Sequence, residues 1–166
     1  NKNFIKWAKN NYQLNLIQGS VFNKDLKKNY YDVITLLDVI EHVHDPFLFL
    51  KRCKELLKKG GFLIISTPNF NSFFSKLLKK NWFYILSIHI FYFTPKTISM
   101  ILKKSGFRVE KIKAYYLKTS LDYILYKSKN YLGLIGSFLH YLGKLLGMKK
   151  RNIAYSLGQM MVFARK

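Results

Sequence analysis

The sequence predicts an α/β fold with a mainly parallel sheet, and a strand–helix–strand arrangement over residues 31–67 is the main reason. Residues 31–38 and 62–67 are nearly continuous apolar runs with β-branched residues, a pattern typical of strands buried on both faces. Residues 46–57 between them carry apolar side chains at helical spacing. Because only short loops separate the three elements, we expect the two strands to be parallel neighbours joined by a right-handed crossover.

The helix of this unit has recognisable signals at both ends. Asp45 is a suitable N-cap, and Pro46 is a suitable first helical residue. The Lys-Lys-Gly-Gly sequence at 58–61 is predicted to end the helix, because basic residues suit the negative helix end and glycine suits the position after it.

The other elements follow from local signals along the chain. Thr94, Pro95 and Gly106 mark the two ends of a second helix, and the last strand or strands are expected to be antiparallel. In chain order, we predict a helix over 2–12, a short strand over 14–18, an irregular aromatic segment over 69–93, a helix over 94–107, an alternating strand over 107–117 and a final strand over 158–166.

The length of 166 residues suits one domain, 1–166, with residues 119–151 as a helical insertion or lid. The chain starts at Asn1 rather than at methionine, which favours a fragment of a longer protein. The sheet is therefore predicted to be truncated on its N-terminal side. Residues 1–25 are predicted to pack poorly or to face a gap in the sheet.

The net charge of +21 favours attraction to a polyanion, either an anionic membrane or nucleic acid. Nucleic acid is the less favoured of the two, because only four of the 29 basic residues are arginine, the usual residue for bidentate recognition. Lysine enrichment from an AT-rich coding sequence is the alternative explanation. The single cysteine, Cys53, excludes an internal disulfide framework, and no secretory signal peptide is recognisable. A cytoplasmic location is expected, with membrane association left open.

Residues 131–147 are mostly apolar and are flanked by basic residues. The segment is slightly short for a bilayer span, which needs about 20 apolar residues, and it contains His140 and Lys144. Two interpretations stay open: peripheral contact of 131–151 with a membrane surface, or a core or lid helix packed along its small residues. The small or polar residues that recur at helical spacing are Gly133, Gly136, His140, Gly143 and Gly147.

The scarce acidic residues gather around the first apolar run. Six of the eight lie between positions 25 and 55, and Asp38, Glu41, His42, His44 and Asp45 follow the run closely. Ligands of parallel α/β sheets bind outside the carboxyl ends of the strands, so this cluster lies where a site is expected. Two histidines two residues apart suggest a metal, but no third ligand has a convincing spacing, and we predict no metal site.

Residues 30–69, YYDVITLLDVIEHVHDPFLFLKRCKELLKKGGFLIISTPN, resemble the second half of class I S-adenosylmethionine-dependent methyltransferases. The most similar branch includes ubiquinone-pathway O-methyltransferases and methyltransferases of glycan and lipid clusters. The resemblance continues over 81–112, where a tryptophan, a histidine and Tyr-Phe-Thr-Pro precede a helix and a glycine, and more weakly over 159–166. It covers residues 14–117 and rests on an ordered combination of motifs.

This resemblance implies a Rossmann-like class I methyltransferase fold, S-adenosylmethionine as cofactor, and methyl transfer to a small acceptor. An apolar or lipid- or glycan-linked acceptor, with O-methylation favoured, fits the aromatic segment 69–93 and the helix at 131–151. Family members begin with a glycine-rich turn for the cofactor's methionine part and then an acid for its ribose. This sequence contains neither, and Ser20 stands where the family often has an acid.

The resemblance also assigns roles to individual residues. His42 is the candidate base for a hydroxyl proton. The candidate cofactor-binding residues are Ser20, Val21, Leu37, Asp38 and Glu41, and the candidate acceptor-binding residues are Asn69, Trp82, His89 and Phe91. The open alternatives are a loop hydrogen bond for Asp38, a solvated surface acid for Glu41, a structural role for His42, and core packing for the aromatic residues. The competing class of function is a non-catalytic basic module that binds an anionic membrane or nucleic acid.

Overall fold

A computed structural model describes residues 2–14, 16–145 and 152–166 of the chain. The predicted helices at 2–12, 46–57 and 94–107 form, and so do the predicted strands at 31–38, 62–67 and 158–166. The strand predicted over 107–117 forms but ends at Ala114. In chain order the elements are α1 (Lys2–Tyr12), β1 (Tyr31–Leu37), a 3-10 helix (Ile40–His42), α2 (Pro46–Leu56), β2 (Leu57–Pro68), α3 (Phe73–Leu78), a second 3-10 helix (Lys79–Asn81), α4 (Pro95–Lys104), β3 (Arg108–Ala114), β4 (Leu117–Ser120), α5 (Leu121–Leu145), β5 (Asn152–Tyr155) and β6 (Gln159–Arg165).

The main sheet has four strands in the order β1-β2-β6-β3, and β4 and β5 form a separate two-stranded ribbon. β1 and β2 are parallel neighbours, as the strand–helix–strand pattern predicts, with Val33 opposite Phe62 and Leu37 opposite Ser66. β6 is antiparallel to both β2 and β3. Three strands therefore point one way and the last strand points the other, so the predicted α/β sheet with an antiparallel C-terminal strand is confirmed.

The helices begin where their capping residues predict. The Asp45 carboxylate accepts a hydrogen bond of 2.9 Å from the Leu48 N–H, and Pro46 opens α2. Thr94 and Thr97 form a reciprocal capping box at the start of α4. The predicted end of α2 is wrong, because the helix stops at Leu56 and residues 58–61 belong to β2.

The core lies between one face of the main sheet and helices α2 and α4. Alternate side chains of β2 and β6 point into it, and Leu63, Ile65, Val162 and Ala164 are fully buried. The helices contribute a matching set of fully buried residues, namely Leu50, Cys53, Ile98 and Leu102. The opposite face of the sheet is only partly covered by the described residues.

The predicted burial of β1 on both faces is wrong. Leu36 is its one buried side chain, whereas Val33 is 49% and Leu37 is 55% exposed. Among the described strands, β1 has a neighbour on the β2 side alone. A strand at the edge of a half-covered sheet cannot bury both rows of side chains.

The predicted strand over 14–18 does not form in the residues that are described there. Leu14, Leu16 and Ile17 are all exposed, and no described strand pairs with them. The poor packing predicted for residues 1–25 is met at these positions, because a strand without hydrogen-bonded neighbours is not stable. It is not met at Ala8, which is buried, or at Val21, which packs against the core.

The predicted helical insertion contains α5, which lies between β4 and β5. Its C-terminal flank, 146–151, including Gly147, falls outside the described residues. Gly133 is not part of a helical stripe, because its φ of 53° and ψ of −121° interrupt the helix there. None of the helices that the structure describes has the length and apolar character needed to cross a membrane.

Candidate functional site

The site lies at the carboxyl edge of the main sheet, the edge where β1, β2 and β3 end and β6 begins. Asp38 directly follows β1, with a φ of 53° that turns the chain sharply. Its N–H donates to the Ser66 carbonyl at 3.1 Å, and its carboxylate Oδ1 accepts from Ser66 Oγ and from Gln159 Nε2, both at 3.0 Å. One carboxylate oxygen therefore joins three strands, as the loop-hydrogen-bond alternative predicts. A contact of Asp38 with a cofactor stays a prediction.

Glu41 is the most unusual residue of this edge, because it is a carboxylate that is only 1% exposed. The 3-10 helix Ile40–His42 turns its side chain into the protein, where Oε2 accepts a hydrogen bond of 3.0 Å from Thr67 Oγ1. Oε1 is buried and has no hydrogen-bond partner among the described residues. Burial raises the pKa of Glu41, opposed by a hydrogen bond from its own backbone and by the one from Thr67. The alternative of a solvated surface acid is wrong.

His42 and His89 lie together beside Glu41, although they are far apart in the sequence. Their ring centroids are 4.7 Å apart at an angle of 64°. Nδ1 of His42 is 2.9 Å from the Ile88 carbonyl oxygen, and Nδ1 of His89 is 2.8 Å from the Tyr84 carbonyl oxygen. A carbonyl oxygen can only accept, so Nδ1 carries the proton in each ring and Nε2 of the neutral ring keeps a free lone pair.

This geometry provides the third metal ligand that sequence spacing does not. One possible ligand atom from each of Glu41, His42 and His89 lies within 4.8 Å of the others. Histidines that bind metals usually donate their other ring N–H to a carbonyl or carboxylate, as both rings do here. Spacing along the chain therefore does not exclude a metal site at this cluster. His44, whose spacing suggested a metal, is exposed and does not belong to this cluster.

Backbone hydrogen bonds place His89 in the cluster. The carbonyl oxygen of Glu41 accepts from the N–H groups of Ile90 and Phe91, at 2.9 and 3.1 Å. The irregular segment 69–93 is thereby fastened across the 3-10 helix, with His89 directly before the point of attachment. Its two ends also meet, because the Phe70 N–H donates to the Phe93 carbonyl at 2.8 Å.

A cleft of about 490 Å³ opens at the same edge of the sheet. Asn69, the first residue after β2, lines it, and its contact with an acceptor stays a prediction. Gln159 lines the cleft and also donates to Asp38, so the cleft adjoins the acidic end of β1. Phe73 and Met160 give it an apolar wall.

The structure favours core packing for the two aromatic candidates. Trp82 is 1% exposed, and its indole N–H donates to the Leu157 carbonyl at 3.0 Å. This burial contradicts its predicted role as a wall of the acceptor site, because it leaves almost no surface for a ligand. Phe91 is half-buried, stacks on Phe93 with centroids 6.1 Å apart, and packs against the core.

The candidate residues on the N-terminal side are held by α2. Arg52 donates to the carbonyl oxygen of Val21 at 3.3 Å, and Val21 packs against the core. Ser20 is exposed and accepts from the Phe22 N–H at 3.2 Å. Leu37, the last residue of β1, is exposed at the carboxyl edge. Contact of Ser20, Val21 and Leu37 with a cofactor remains a prediction.

Sequence reasoning missed three polar residues that shape this site. Ser66 and Thr67 end the apolar run of β2, and a polar pair at the carboxyl end of a buried strand is a signal that could have identified them. Gln159 gives no comparable signal, because it reaches Asp38 only through the placement of β6 beside β2.

Comparison with known proteins agrees with this architecture. A family profile described as a methyltransferase domain matches residues 3–112. The ubiquinone biosynthesis O-methyltransferase of Cereibacter sphaeroides is 44% identical over 54 residues, 31% of this chain and 22% of that protein. The protein of the same name from Proteus mirabilis is 33% identical over 104 residues, 63% of this chain and 38% of that protein. The chain thus spans well under half the length of these curated relatives.

Solved structures share the fold at low sequence identity. A SAM-dependent methyltransferase from Archaeoglobus fulgidus superimposes with a TM-score of 0.60 at 23% identity, covering 100% of this chain and 73% of that one. One from Thermotoga maritima, described as a possible histamine N-methyltransferase, gives 0.62 at 19% identity and covers 99% and 70%. Because the family profile matches more than half of the chain, this chain belongs to the methyltransferase-domain family, and its superposition on these solved methyltransferases shows the class I, Rossmann-like fold.

Proposed function

We propose that this chain is the acceptor-side part of an S-adenosylmethionine-dependent methyltransferase that methylates a hydroxyl group. The observation that carries the proposal is the cluster of Glu41, His42 and His89 at the carboxyl edge of a methyltransferase sheet. The O-methyltransferase names of the curated relatives support oxygen as the methylated atom. The acceptor is small and apolar, or linked to a lipid or glycan, because the segment 69–93, which carries His89, is rich in aromatic and aliphatic side chains, and the cleft at the same edge of the sheet has an apolar wall.

The residues present suit the methyl-donating end of the cofactor. When bound, S-adenosylmethionine supplies a methyl group on a positively charged sulfur, and the carbon–sulfur bond breaks with its electron pair left on sulfur. The carboxylates of Asp38 and Glu41 give this edge of the sheet a negative potential that favours a cation in an otherwise strongly basic chain. This chain has neither the glycine-rich turn nor the ribose-binding acid of its family, so we assign to it no contacts with those parts of the cofactor.

His42 is the proposed base. Its Nδ1–H is held by the Ile88 carbonyl, which fixes the ring and leaves the Nε2 lone pair to accept the hydroxyl proton as the acceptor oxygen bonds the methyl carbon. His89 lies against His42 and is fixed in the same tautomer by the Tyr84 carbonyl. We propose that His89 orients the acceptor hydroxyl beside the base.

A divalent cation held by Glu41, His42 and His89 is the second candidate. It is favoured by Glu41 Oε1, a buried carboxylate oxygen without a hydrogen-bond partner in the described part of the chain, and by two imidazoles with free Nε2 positions. Two imidazoles and one carboxylate suit a first-row divalent metal, which would bind an acceptor oxygen and lower its pKa. The two candidates differ in what His42 does, and both keep the cluster at the reacting oxygen.

Calorimetric titration with S-adenosylmethionine tests the proposal first, and transfer of labelled methyl to a panel of hydroxyl acceptors tests it second. We expect His42→Ala to lower turnover about a hundredfold or more with cofactor affinity nearly unchanged, and His89→Ala to raise KM for the acceptor. His44→Ala is the matched control and should change neither. Failure to bind S-adenosylmethionine in a chain that carries its intact upstream sequence would overturn the enzyme in favour of a non-catalytic basic module.

Chelation separates the base from the cation. If His42 acts alone as the base, EDTA treatment leaves turnover unchanged and Glu41→Gln affects it less than His42→Ala does. If a cation is bound, EDTA abolishes turnover and added Mn²⁺ or Zn²⁺ restores it. Glu41→Gln then has low turnover that added metal does not restore. Near-full turnover of His42→Ala, combined with a collapse of cofactor affinity, would assign His42 to the cofactor site.

A further inference from the structure

Helix α5 is a hairpin of two helices rather than one continuous rod. Gly133, with a φ of 53° and a ψ of −121°, interrupts the helical backbone in its middle, and such a φ favours glycine. The rings of Tyr126 and His140 are 6.0 Å apart, whereas 14 residues of straight helix would separate them by about 21 Å. Gly143 lies so close to Leu125 that a Cβ there would collide with the leucine side chain. The two halves therefore lie side by side.

The second half of this hairpin turns its apolar side chains outward. The face toward the first half is made of Gly136, His140 and Gly143, which are buried. The tip is the most exposed part, with Leu134 90% and Ile135 66% accessible. The other exposed apolar residues of this half are Phe138, Leu139, Tyr141, Leu142 and Leu145. A helix in contact with water normally has the opposite arrangement, and an exposed apolar surface of this extent indicates an interaction site.

The hairpin projects from the same edge of the sheet that carries the candidate site. The pairing of β3 with β6 ends there. A hydrogen bond of 3.0 Å from the Tyr115 N–H to the Gln159 carbonyl links the end of this pairing to the start of the β4–β5 ribbon. α5 follows β4 directly, and among the described elements β4 is the one with which it makes substantial contact. The hairpin therefore stands off the body of the protein on a ribbon rooted beside the cleft.

The charge of the hairpin and its ribbon, residues 117–155, indicates the kind of partner that this surface binds. Residues 117–155 contain seven lysines and arginines and one acidic residue, Asp122, and the whole chain carries +21. Lys118 and Lys144 are exposed on the ribbon and on the second half of the hairpin. An apolar surface flanked by basic residues fits the interface of an anionic bilayer, where apolar side chains enter the acyl region and lysines meet the headgroups. Nucleic acid offers no apolar phase for this surface, and a second copy of the chain would bring like charges together.

We propose that the second half of α5 inserts its apolar surface into the interface of an anionic lipid bilayer. The insertion is peripheral and led by the tip at Leu134 and Ile135, and it holds the carboxyl edge of the main sheet at the membrane surface. In combination with the proposed function, this arrangement brings a lipid-linked acceptor to the cleft at Asn69 and Gln159. The membrane contact itself does not depend on methyl transfer, and it can be measured without the cofactor.

Co-sedimentation with vesicles tests the proposal. Vesicles of phosphatidylcholine mixed equally with phosphatidylglycerol should bind the protein at least tenfold more strongly than vesicles of phosphatidylcholine alone. The double variant Leu134→Gln/Phe138→Gln should lose at least tenfold in binding to the anionic vesicles. Phe4→Gln/Met100→Gln is the matched control, because both residues are more than half exposed, at 58% and 61%, but lie on α1 and α4. Equal loss in both double variants would overturn the assignment to the hairpin.

A labelled variant gives a second measurement that does not rely on loss of binding. Cys53 is buried, so Leu134→Cys can be labelled selectively with an environment-sensitive dye under native conditions. Its emission should shift to the blue with anionic vesicles, while dye at Met100→Cys should not respond. An unshifted emission overturns insertion. A dimer in solution that Leu134→Gln/Phe138→Gln dissociates also overturns the proposal and assigns the surface to a second copy of the chain.

Discussion

At the scale of single residues, Glu41 is a buried acid whose position is unfavourable for stability. A buried polar atom without a partner costs about 1–3 kcal/mol, and Glu41 Oε1 is such an atom in the described part of the structure. The neighbouring imidazoles are held so that each can present a lone pair rather than a proton. A carboxylate oxygen without a partner, beside two imidazoles with fixed orientation, is the arrangement expected where a bound ligand supplies the missing contacts.

The hydrogen bond from Thr67 to Glu41 can be tested without touching the cluster itself. Thr67→Val removes the Oγ1 donor, 3.0 Å from Oε2, in a residue that is fully buried. Oε2 would then lose its side-chain donor while Oε1 already has none, so we expect a loss of about 1–3 kcal/mol in the free energy of unfolding, measured by urea denaturation. Thr35→Val is the control, because Thr35 is an exposed threonine of β1. An equal effect of the two substitutions would contradict the importance of the Thr67 bond.

Cys53 provides a second residue-level prediction, with a defined dependence on pH. Burial raises the pKa of its thiol from 9.0 to about 12. The folded state therefore holds the proton more tightly than the unfolded state, and this contribution to stability is lost as pH rises from about 9 towards about 12. At pH below this window, the native thiol should react with Ellman's reagent far more slowly than the urea-unfolded thiol. Native reactivity equal to that of the unfolded chain would contradict the burial.

At the scale of elements, the sequence predicted correctly those features that depend on residues close together in the chain, such as the starts of helices. The starts of α2 and α4 follow from Asp45 and Thr94, because a cap needs only residues within one turn. The strand predicted over 14–18 failed for the opposite reason, since apolar alternation does not supply a hydrogen-bonded neighbour. The outward face of α5 could not be predicted either, because its direction depends on the fold-back at Gly133.

The same contrast applies to the candidate site. The acidic turn after β1 could be located from the sequence, because ligand sites in these sheets lie at the carboxyl ends of strands. The pairing of His42 with His89 could not, because it depends on how 69–93 is fastened to the Glu41 carbonyl. Trp82 was misplaced because a tryptophan in an irregular aromatic segment gives no sign of which side it buries.

The cap of α2 gives the prediction at this scale. Asp45→Ala removes the carboxylate that accepts from the Leu48 N–H, and we expect a loss of about 1 kcal/mol in the free energy of unfolding. Asp45→Asn should restore most of it, because asparagine is an equally good N-cap. Urea denaturation of the three proteins measures both changes. A stability of Asp45→Asn as low as that of Asp45→Ala would show that charge rather than capping matters here.

At the scale of the whole molecule, the chain is strongly basic, whereas most of its acidic residues lie in the part of the sequence that forms the candidate site. Eight acidic residues stand against 29 basic ones, and six of the eight lie between positions 25 and 55. Two ion pairs of this region, Lys58 with Asp32 at 2.8 Å and Lys28 with Glu55 at 3.1 Å, join side chains that are about half or more exposed. Pairs of this kind contribute little to stability. The net effect of charge on the folded state is therefore repulsion among the lysines.

Added salt should consequently stabilise the protein at low ionic strength. Between about 0.01 M and about 0.15 M, the Debye length falls from about 30 Å to about 8 Å, which screens repulsion across the whole molecule. Because a net charge of +21 destabilises the compact state, the midpoint of urea unfolding should rise over this range. The rise should level off once the screening length is shorter than the spacing between lysines, unlike a Hofmeister effect, which keeps growing with concentration. Sodium chloride and potassium chloride should act equally. A midpoint that is unchanged or falls would mean that the few ion pairs outweigh the repulsion, contrary to the count of charges.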